Sequence, residues 1–162
     1  MNKKGFTLVE LLATMAILGI IMLIAVPNVI SIIDNNKRTT YIEDAKRLVA
    51  LAETKFRSDE SMSRPAGSSD CLIINLNDLD KSNLSEAPEN GTYDIDDSYV
   101  VIKFESNSYT YYVQLKEKYG ASNDNYRGIS YIKSSKLNET GAMRKYVKSD
   151  GFVDSSCSNV SQ

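Results

Sequence analysis

Residues 5–33 read GFTLVELLATMAILGIIMLIAVPNVISII, and no charged residue occurs from Leu11 to Ile33. A helix rises about 1.5 Å per residue, so this uncharged run is long enough to cross the hydrocarbon core of a membrane. The flanking MNKK is basic and places the N-terminus on the cytoplasmic side by the positive-inside rule. The sequence therefore predicts a membrane helix at the N-terminus, with the polar remainder of the chain on the outer side.

Glu10 is a carboxylate inside this apolar stretch, and no basic residue follows it before Lys37. An acidic side chain in a spanning helix is costly and usually has a partner. Cleavage between Gly5 and Phe6 would create a protonated α-amino group at Phe6, about one helical turn from Glu10. The amine of one copy could also meet Glu10 of the next copy, so we expect Glu10 to set the register of assembly.

The opening stretch resembles the class III leader and N-terminal helix of type IV pilins and pseudopilins, over about residues 1–55. The residues that carry the resemblance are Gly5, Phe6, Thr7, Leu8, Glu10, Leu11, Leu12, Gly19 and Pro27. It implies that a prepilin peptidase cleaves after Gly5 and methylates the amine of Phe6. It also implies a helical homopolymer built through the N-terminal helix, with an assembly platform protein and an ATPase as indirect partners.

Gly19 and Pro27 lie within the predicted membrane helix. Proline removes one helical hydrogen bond and glycine is a poor helix former, so the segment between them is where this helix would most easily bend or stretch. The resemblance implies flexibility there within a filament. A simple membrane-helix kink is the alternative.

Four segments follow from these patterns: a leader at 1–5, a membrane and filament-core helix at 6–33, an amphipathic helix at 34–59 and a head domain at 60–162. The helix at 34–59 carries the acid-before-base pairs Glu43/Arg47 and Glu53/Arg57 at a spacing of four. Its predicted apolar face consists of Tyr41, Ile42, Ala45, Leu48, Val49, Ala52 and Phe56.

The head domain contains short alternating runs that predict β-strands at 71–76, 98–105, 109–118, 128–133 and 145–149. The runs 98–105 and 109–118 flank a short polar turn and predict a hairpin. We therefore expect an α+β, pilin-like fold, in which a long N-terminal helix with a membrane half and an amphipathic half packs on an antiparallel sheet.

The inventory of residues argues against an enzyme. The chain has no histidine and no glycine-rich phosphate loop, so we expect neither catalysis nor a cofactor. Removal of Lys3 and Lys4 with the leader reduces the 19 basic residues to 17 against 21 acidic residues, which disfavours general nucleic-acid binding. Capture of DNA by a local patch remains a variant of the filament hypothesis.

Two further features of the head are candidates for binding. Asp94, Asp96 and Asp97 are acidic turn residues that resemble a pseudopilin calcium loop, but they lack the glycine and distal glutamate of an EF-hand, so solvated turn residues are the expected reading. Tyrosine is a good strand residue, but an exposed tyrosine surface could bind a partner. The candidates for such a surface are Tyr99, Tyr112, Tyr126 and Tyr131.

Cys71 and Cys157 are the two cysteines of the chain. If the head lies outside the cytoplasm, they are expected to form a disulfide, because disulfides persist in oxidising compartments. Two separate buried thiols are the alternative.

These patterns favour a structural subunit of a type IV pilus or related filament that serves adhesion, motility, secretion or DNA uptake. The precursor and subunit pool would reside in the cytoplasmic membrane, and the assembled filament at the cell surface. The rival hypothesis is a single-pass, membrane-anchored extracellular binding module that does not polymerise. Cleavage after Gly5 distinguishes the two, because a plain anchor does not need it.

Overall fold

The computed structural model describes residues 7–67, 70–84, 86–118 and 126–138. The chain divides into two compact units, Met1–Asn36 and Lys37–Gln162. A single helix, α1 (Leu8–Ser58), begins in the first unit and ends in the second. The α+β class is confirmed, since the second unit places five antiparallel strands against the C-terminal part of this helix.

The part of α1 in the second unit buries one face. Tyr41, Ala45, Leu48 and Ala52 are completely buried and Phe56 nearly so, at intervals of three and four residues that place them on one side of a helix. This confirms the predicted apolar face, with Ile42 and Val49 packed half-buried at its margins. Burial of each large apolar side chain contributes about 1.5–3 kcal/mol, so this face holds α1 on the sheet.

The strands are β1 (Cys71–Asn75), β2 (Thr92–Tyr93), β3 (Tyr99–Glu105), β4 (Ser108–Lys118) and β5 (Tyr126–Lys133). Their order is β1-β3-β4-β2, and β5 pairs with β4. Four of them match the predicted strands within two residues at each end. The two-residue β2 was not predicted, because it is too short to show alternation. The predicted strand at 145–149 lies outside the described residues.

Alternation along the strands separates the two faces of the sheet. Val100 and Ile102 of β3, with Val113 and Leu115 of β4, are fully buried in the same core as the apolar face of α1. The opposite face carries a smaller cluster of Cys71, Tyr99 and Val101, with Ile73, Tyr112 and Tyr131 packed around it. The period of two thus assigns these strand residues to one face or the other.

The β3–β4 hairpin turns through two residues, Ser106 and Asn107, whose φ angles are 50° and 65°. Two-residue hairpin loops favour positive φ at both positions, because that twist matches the strands, and asparagine tolerates it. The register follows directly from this turn, with Glu105 opposite Ser108 and Val100 opposite Val113. The predicted hairpin is confirmed.

Glu117 of β4 is a completely buried carboxylate beneath α1. It accepts hydrogen bonds from the Tyr41 hydroxyl and from the backbone N–H groups of Glu89, at 3.1 Å, and Gly91, at 2.8 Å. A buried carboxylate is tolerated when such donors satisfy it. Glu117 therefore ties the loop before β2 to both the helix and the sheet.

Glu89 adds charged contacts to this junction. Its carboxylate lies 2.8 Å from the Lys37 ammonium of α1 and 2.7 Å from the Arg127 guanidinium of β5. Nearby, the Tyr93 hydroxyl donates to Asp44 at 2.7 Å, and burial followed by this hydrogen bond raises the pKa of Tyr93. These side chains were not identified from the sequence.

Candidate functional site

Helix α1 starts with a reciprocal pair of side chains, Thr7 and Glu10. The Thr7 carbonyl accepts the first helical hydrogen bond, from Leu11 at 3.2 Å, so Thr7 is the N-cap. The Glu10 carboxylate accepts from the Thr7 backbone N–H at 3.0 Å and from the Thr7 hydroxyl at 2.9 Å. In return, the Thr7 hydroxyl oxygen accepts from the Glu10 backbone N–H at 3.4 Å.

This arrangement is a capping box, in which the side chains at the N-cap and three residues later satisfy each other's backbone donors. The sequence signal for it is the spacing Thr-x-x-Glu before an apolar run, which was not among the features that predicted a role for Glu10. The expected partner of Glu10 was the amine of Phe6, which lies outside the described residues together with Gly5. The structure thus adds Thr7 to the residues that hold Glu10.

The surface of α1 from Leu8 to Ile33 is apolar on all sides. Seventeen large apolar side chains in this stretch are exposed, with exposed fractions from 48% at Ile33 to 80% at Leu8. Leaving each in water forfeits about 1.5–3 kcal/mol of burial, so this stretch requires an apolar environment. Among the described residues, α1 is the helix that is long and apolar enough to cross a membrane, with a mean hydropathy of 2.6 over 18 residues.

Two polar side chains within this stretch bond to its own backbone. The Thr14 hydroxyl donates to the Leu11 carbonyl at 2.8 Å, and the Asn28 amide donates to the Ile24 carbonyl at 3.0 Å. Such internal bonding suits a helix that leaves water, because these side-chain donors then find an acceptor within the helix itself.

Gly19 and Pro27 both lie inside α1, which is continuous across Pro27. A methyl group added at Gly19 would meet nothing within 4 Å in the single chain. The absence of a side chain at Gly19 is therefore not required by packing within one copy. Its predicted role in helix flexibility, and that of Pro27, stays a prediction.

The carboxylates of the turn before β3 are held by donors from the chain itself. Asp94 is buried, accepts from the backbone N–H groups of Asp96 and Asp97, and lies 3.4 Å from the Lys118 ammonium. Asp97 pairs with the buried Lys116 ammonium. Across the described ranges, no group of three or more His, Cys, Asp or Glu side chains is placed to hold a metal ion.

The predicted tyrosine surface is partly corrected. Tyr99 is buried, with 8% of its surface exposed, and burial raises its pKa to about 12. Tyr99 is therefore not part of an exposed tyrosine surface, because its face of the sheet carries a second apolar cluster. Tyr112 and Tyr131 are half-buried and stack with ring centroids 5.1 Å apart, while the side chain of Tyr126 lies outside the description.

Of the two cysteines, Cys71 lies in the described part of the chain. Cys71 is the first residue of β1 and is 5% exposed in the cluster with Tyr99 and Val101. Cys157 lies outside the described residues, so the disulfide stays a prediction.

Residues 1–26 match the prokaryotic N-terminal methylation motif, which contains the class III prepilin leader. No curated protein and no solved structure matches the chain. The motif and the long apolar helix are consistent with a type IV pilin-like protein that is anchored in a membrane.

Proposed function

We propose that this chain is a structural subunit of a type IV pilus or related filament. The observation that carries the proposal is the exposed apolar surface of α1 from Leu8 to Ile33, which has the capped Glu10 in its first turn and lies within and directly after the methylation motif. A prepilin peptidase would cleave after Gly5 and methylate Phe6. The mature helix would then pack against the helices of other copies.

Glu10 has a specific role in this proposal. In a single chain, Thr7 donates two hydrogen bonds to the Glu10 carboxylate. The unassembled subunit can therefore remain in the membrane with this carboxylate hydrogen-bonded. In the polymer, the amine of Phe6, within the subunit or from its neighbour, would provide a charged partner. If the neighbour provides the amine, a wrong register would leave both charges unpaired in an apolar environment, where an unpaired charge is costly.

The subunit is first inserted in the cytoplasmic membrane. The cell-surface filament is then assembled from these membrane-inserted subunits. The platform protein and the ATPase of the assembly system are the expected partners, and no catalysis is expected in this chain. The rival single-pass binding module would use the same helix only as an anchor. It gives no reason for a cleavable leader.

The test compares three forms of the full chain in cells that carry the assembly system. Filaments are sheared from the surface, quantified by electron microscopy, and their subunits are measured by intact mass. The natural chain should start at Phe6 with one added methyl group. Glu10→Ala should be cleaved and keep a folded head but yield few filaments.

Glu60→Ala is the matched control, because it removes an exposed carboxylate just after the end of α1. It should yield filaments normally. An intact MNKKG leader on filament subunits would overturn the proposal. Normal filament yield from Glu10→Ala would remove the register role of Glu10 but leave the subunit assignment intact.

A further inference from the structure

A cleft of about 470 Å³ lies between the C-terminal end of α1 and the tip of the β3–β4 hairpin. This volume is in the range of small-molecule sites. Its lining combines aromatic rings, hydroxyl groups and charged side chains. The lining residues are Glu53, Phe56, Arg57, Arg64, Ser108, Tyr109 and Tyr111.

The charges of the lining do not cancel. Arg57 forms an ion pair with Glu53, with the guanidinium nitrogen 2.5 Å from the carboxylate oxygen. The Arg64 guanidinium lies 5.0 Å from the centre of the Phe56 ring and donates to the Phe56 carbonyl at 3.4 Å. Within the described ranges, no carboxylate lies within 4.0 Å of Arg64. The cleft therefore carries one uncompensated positive charge in a chain whose net charge is −2.

The aromatic part of the cleft is held rigidly. Tyr109 packs edge-to-face against Phe56, at 5.0 Å between centroids, and against Phe104, at 5.4 Å. Such pairs fix ring orientation beyond simple burial. Burial, followed by the charge of Glu53, raises the pKa of Tyr111, so its hydroxyl is neutral at physiological pH. The lining thus presents apolar ring carbons beside phenolic and serine hydroxyls.

We propose that this cleft binds a saccharide ring that carries one carboxylate, such as a uronic acid unit of a surface polysaccharide. Arg64 binds the carboxylate, because a guanidinium matches its planar geometry with two donors. The ring carbons of the sugar lie against the half-buried rings of Tyr109 and Tyr111, and its hydroxyls bond to Ser108 and to the two tyrosine hydroxyls. The inference does not depend on polymerisation, because every lining residue belongs to the second unit of one chain.

The size and charge of the cleft favour this ligand class over two others. A lone inorganic anion would leave the apolar lining without contact. A single-stranded nucleic acid needs a groove with several cations that follow its phosphate backbone. Here the lining carries one net positive charge.

The test uses the full chain in detergent micelles and saturation-transfer NMR, with D-glucuronate as the probe and D-glucose as its neutral counterpart. Glucuronate should receive saturation and glucose should receive much less. Arg64→Gln should weaken glucuronate binding about tenfold or more, since a hydrogen bond to a charged group is worth about 1.5–3 kcal/mol. Lys136→Gln removes the same charge from an exposed position outside the lining and should leave binding unchanged.

Tyr109→Phe removes only a hydroxyl and provides a second variant if Arg64→Gln unfolds; it should weaken glucuronate binding measurably. Absence of saturation on glucuronate, equal saturation on glucose, or undiminished binding by Arg64→Gln or by a folded Tyr109→Phe would overturn the proposal. Saturation of an oligothymidylate in place of glucuronate would assign the cleft to nucleic acid and also overturn it.

Discussion

Thr7 and Glu10 satisfy each other at the start of α1, with the Glu10 carboxylate bonded to the Thr7 N–H at 3.0 Å and to its hydroxyl at 2.9 Å. The proposed cleavage site, between Gly5 and Phe6, lies just before this pair. The hydrogen bonds that start the helix therefore lie next to the amine that cleavage would create. An acidic side chain at this position also suits the positive end of the helix dipole.

We expect Thr7→Val to loosen the first turn of α1, because valine keeps the shape of threonine but lacks its hydroxyl. The backbone amide of Glu10, which donates to the Thr7 hydroxyl oxygen, should exchange with solvent faster than in the natural chain, measured by hydrogen exchange in micelles. Thr7→Ser keeps the hydroxyl and should retain slow exchange. Equal exchange in all three proteins would show that the cap does not hold this turn.

Gly91 is required where the loop before β2 crosses Glu117. A Cβ at Gly91 would lie 2.0 Å from the Lys118 carbonyl oxygen and 2.8 Å from a Glu117 carboxylate oxygen. We expect Gly91→Ala to lower the free energy of unfolding by about 1–3 kcal/mol, the usual cost of overpacking. Denaturant titration of the full chain in micelles measures it.

Gly67→Ala is the control for this change. Its Cβ would lie 3.2 Å from a carboxylate oxygen of Asp70, a side chain that can move. Both substitutions reduce the entropy of the unfolded chain equally, so their difference isolates the clash. Similar stabilities of the two variants would contradict the close approach at Gly91.

Alkaline titration should separate the buried tyrosines from the exposed ones. Burial, followed by the charge of Asp97, raises the pKa of Tyr99 to about 12, and burial raises the pKa of Tyr93 as well. A raised tyrosine pKa means that the fold favours the neutral phenol. This contribution to stability is complete below the unfolded pKa of about 10 and is lost as the pH rises toward 12.

Because the chain has ten tyrosines and no tryptophan, tyrosinate absorbance reports them without interference. We expect a second rise of tyrosinate absorbance at high pH that coincides with unfolding. In Tyr99→Phe, the amplitude of this rise should be smaller by the contribution of one tyrosine. Titration of every tyrosine in one phase near pH 10, before any loss of structure, would refute this expectation.

A disulfide between Cys71 and Cys157 remains a prediction. It would anchor the end of the chain at the first residue of β1, and closing the loop from 71 to 157 is worth about 4.5 kcal/mol in the chain-entropy model. Non-reduced protein should contain no alkylatable thiol, and reduction should lower the midpoint of denaturation. Two alkylatable thiols in native protein would exclude the bond.

The sequence was sufficient for features that depend on near neighbours. The apolar run to Ile33, the helical spacing from Tyr41 to Phe56 and the hairpin at Ser106 each express a local period or turn preference, and all three are confirmed. The ion pair Glu53–Arg57 also formed as predicted. Arg47 instead lies 3.6 Å from Asp44, three residues away, because helix neighbours at three and four compete.

Tertiary structure alone decided which polar residues meet in the interior. Glu117 joins Tyr41, 76 positions earlier in the chain, and Glu89 joins Lys37 and Arg127, 52 positions before it and 38 after it. No period or motif marks such residues, since their partners are chosen by how the sheet lies on the helix. The burial of Tyr99 was missed for the same reason. Its strand pattern fixes the face on which it lies, whereas the packing on that face decides whether water reaches it.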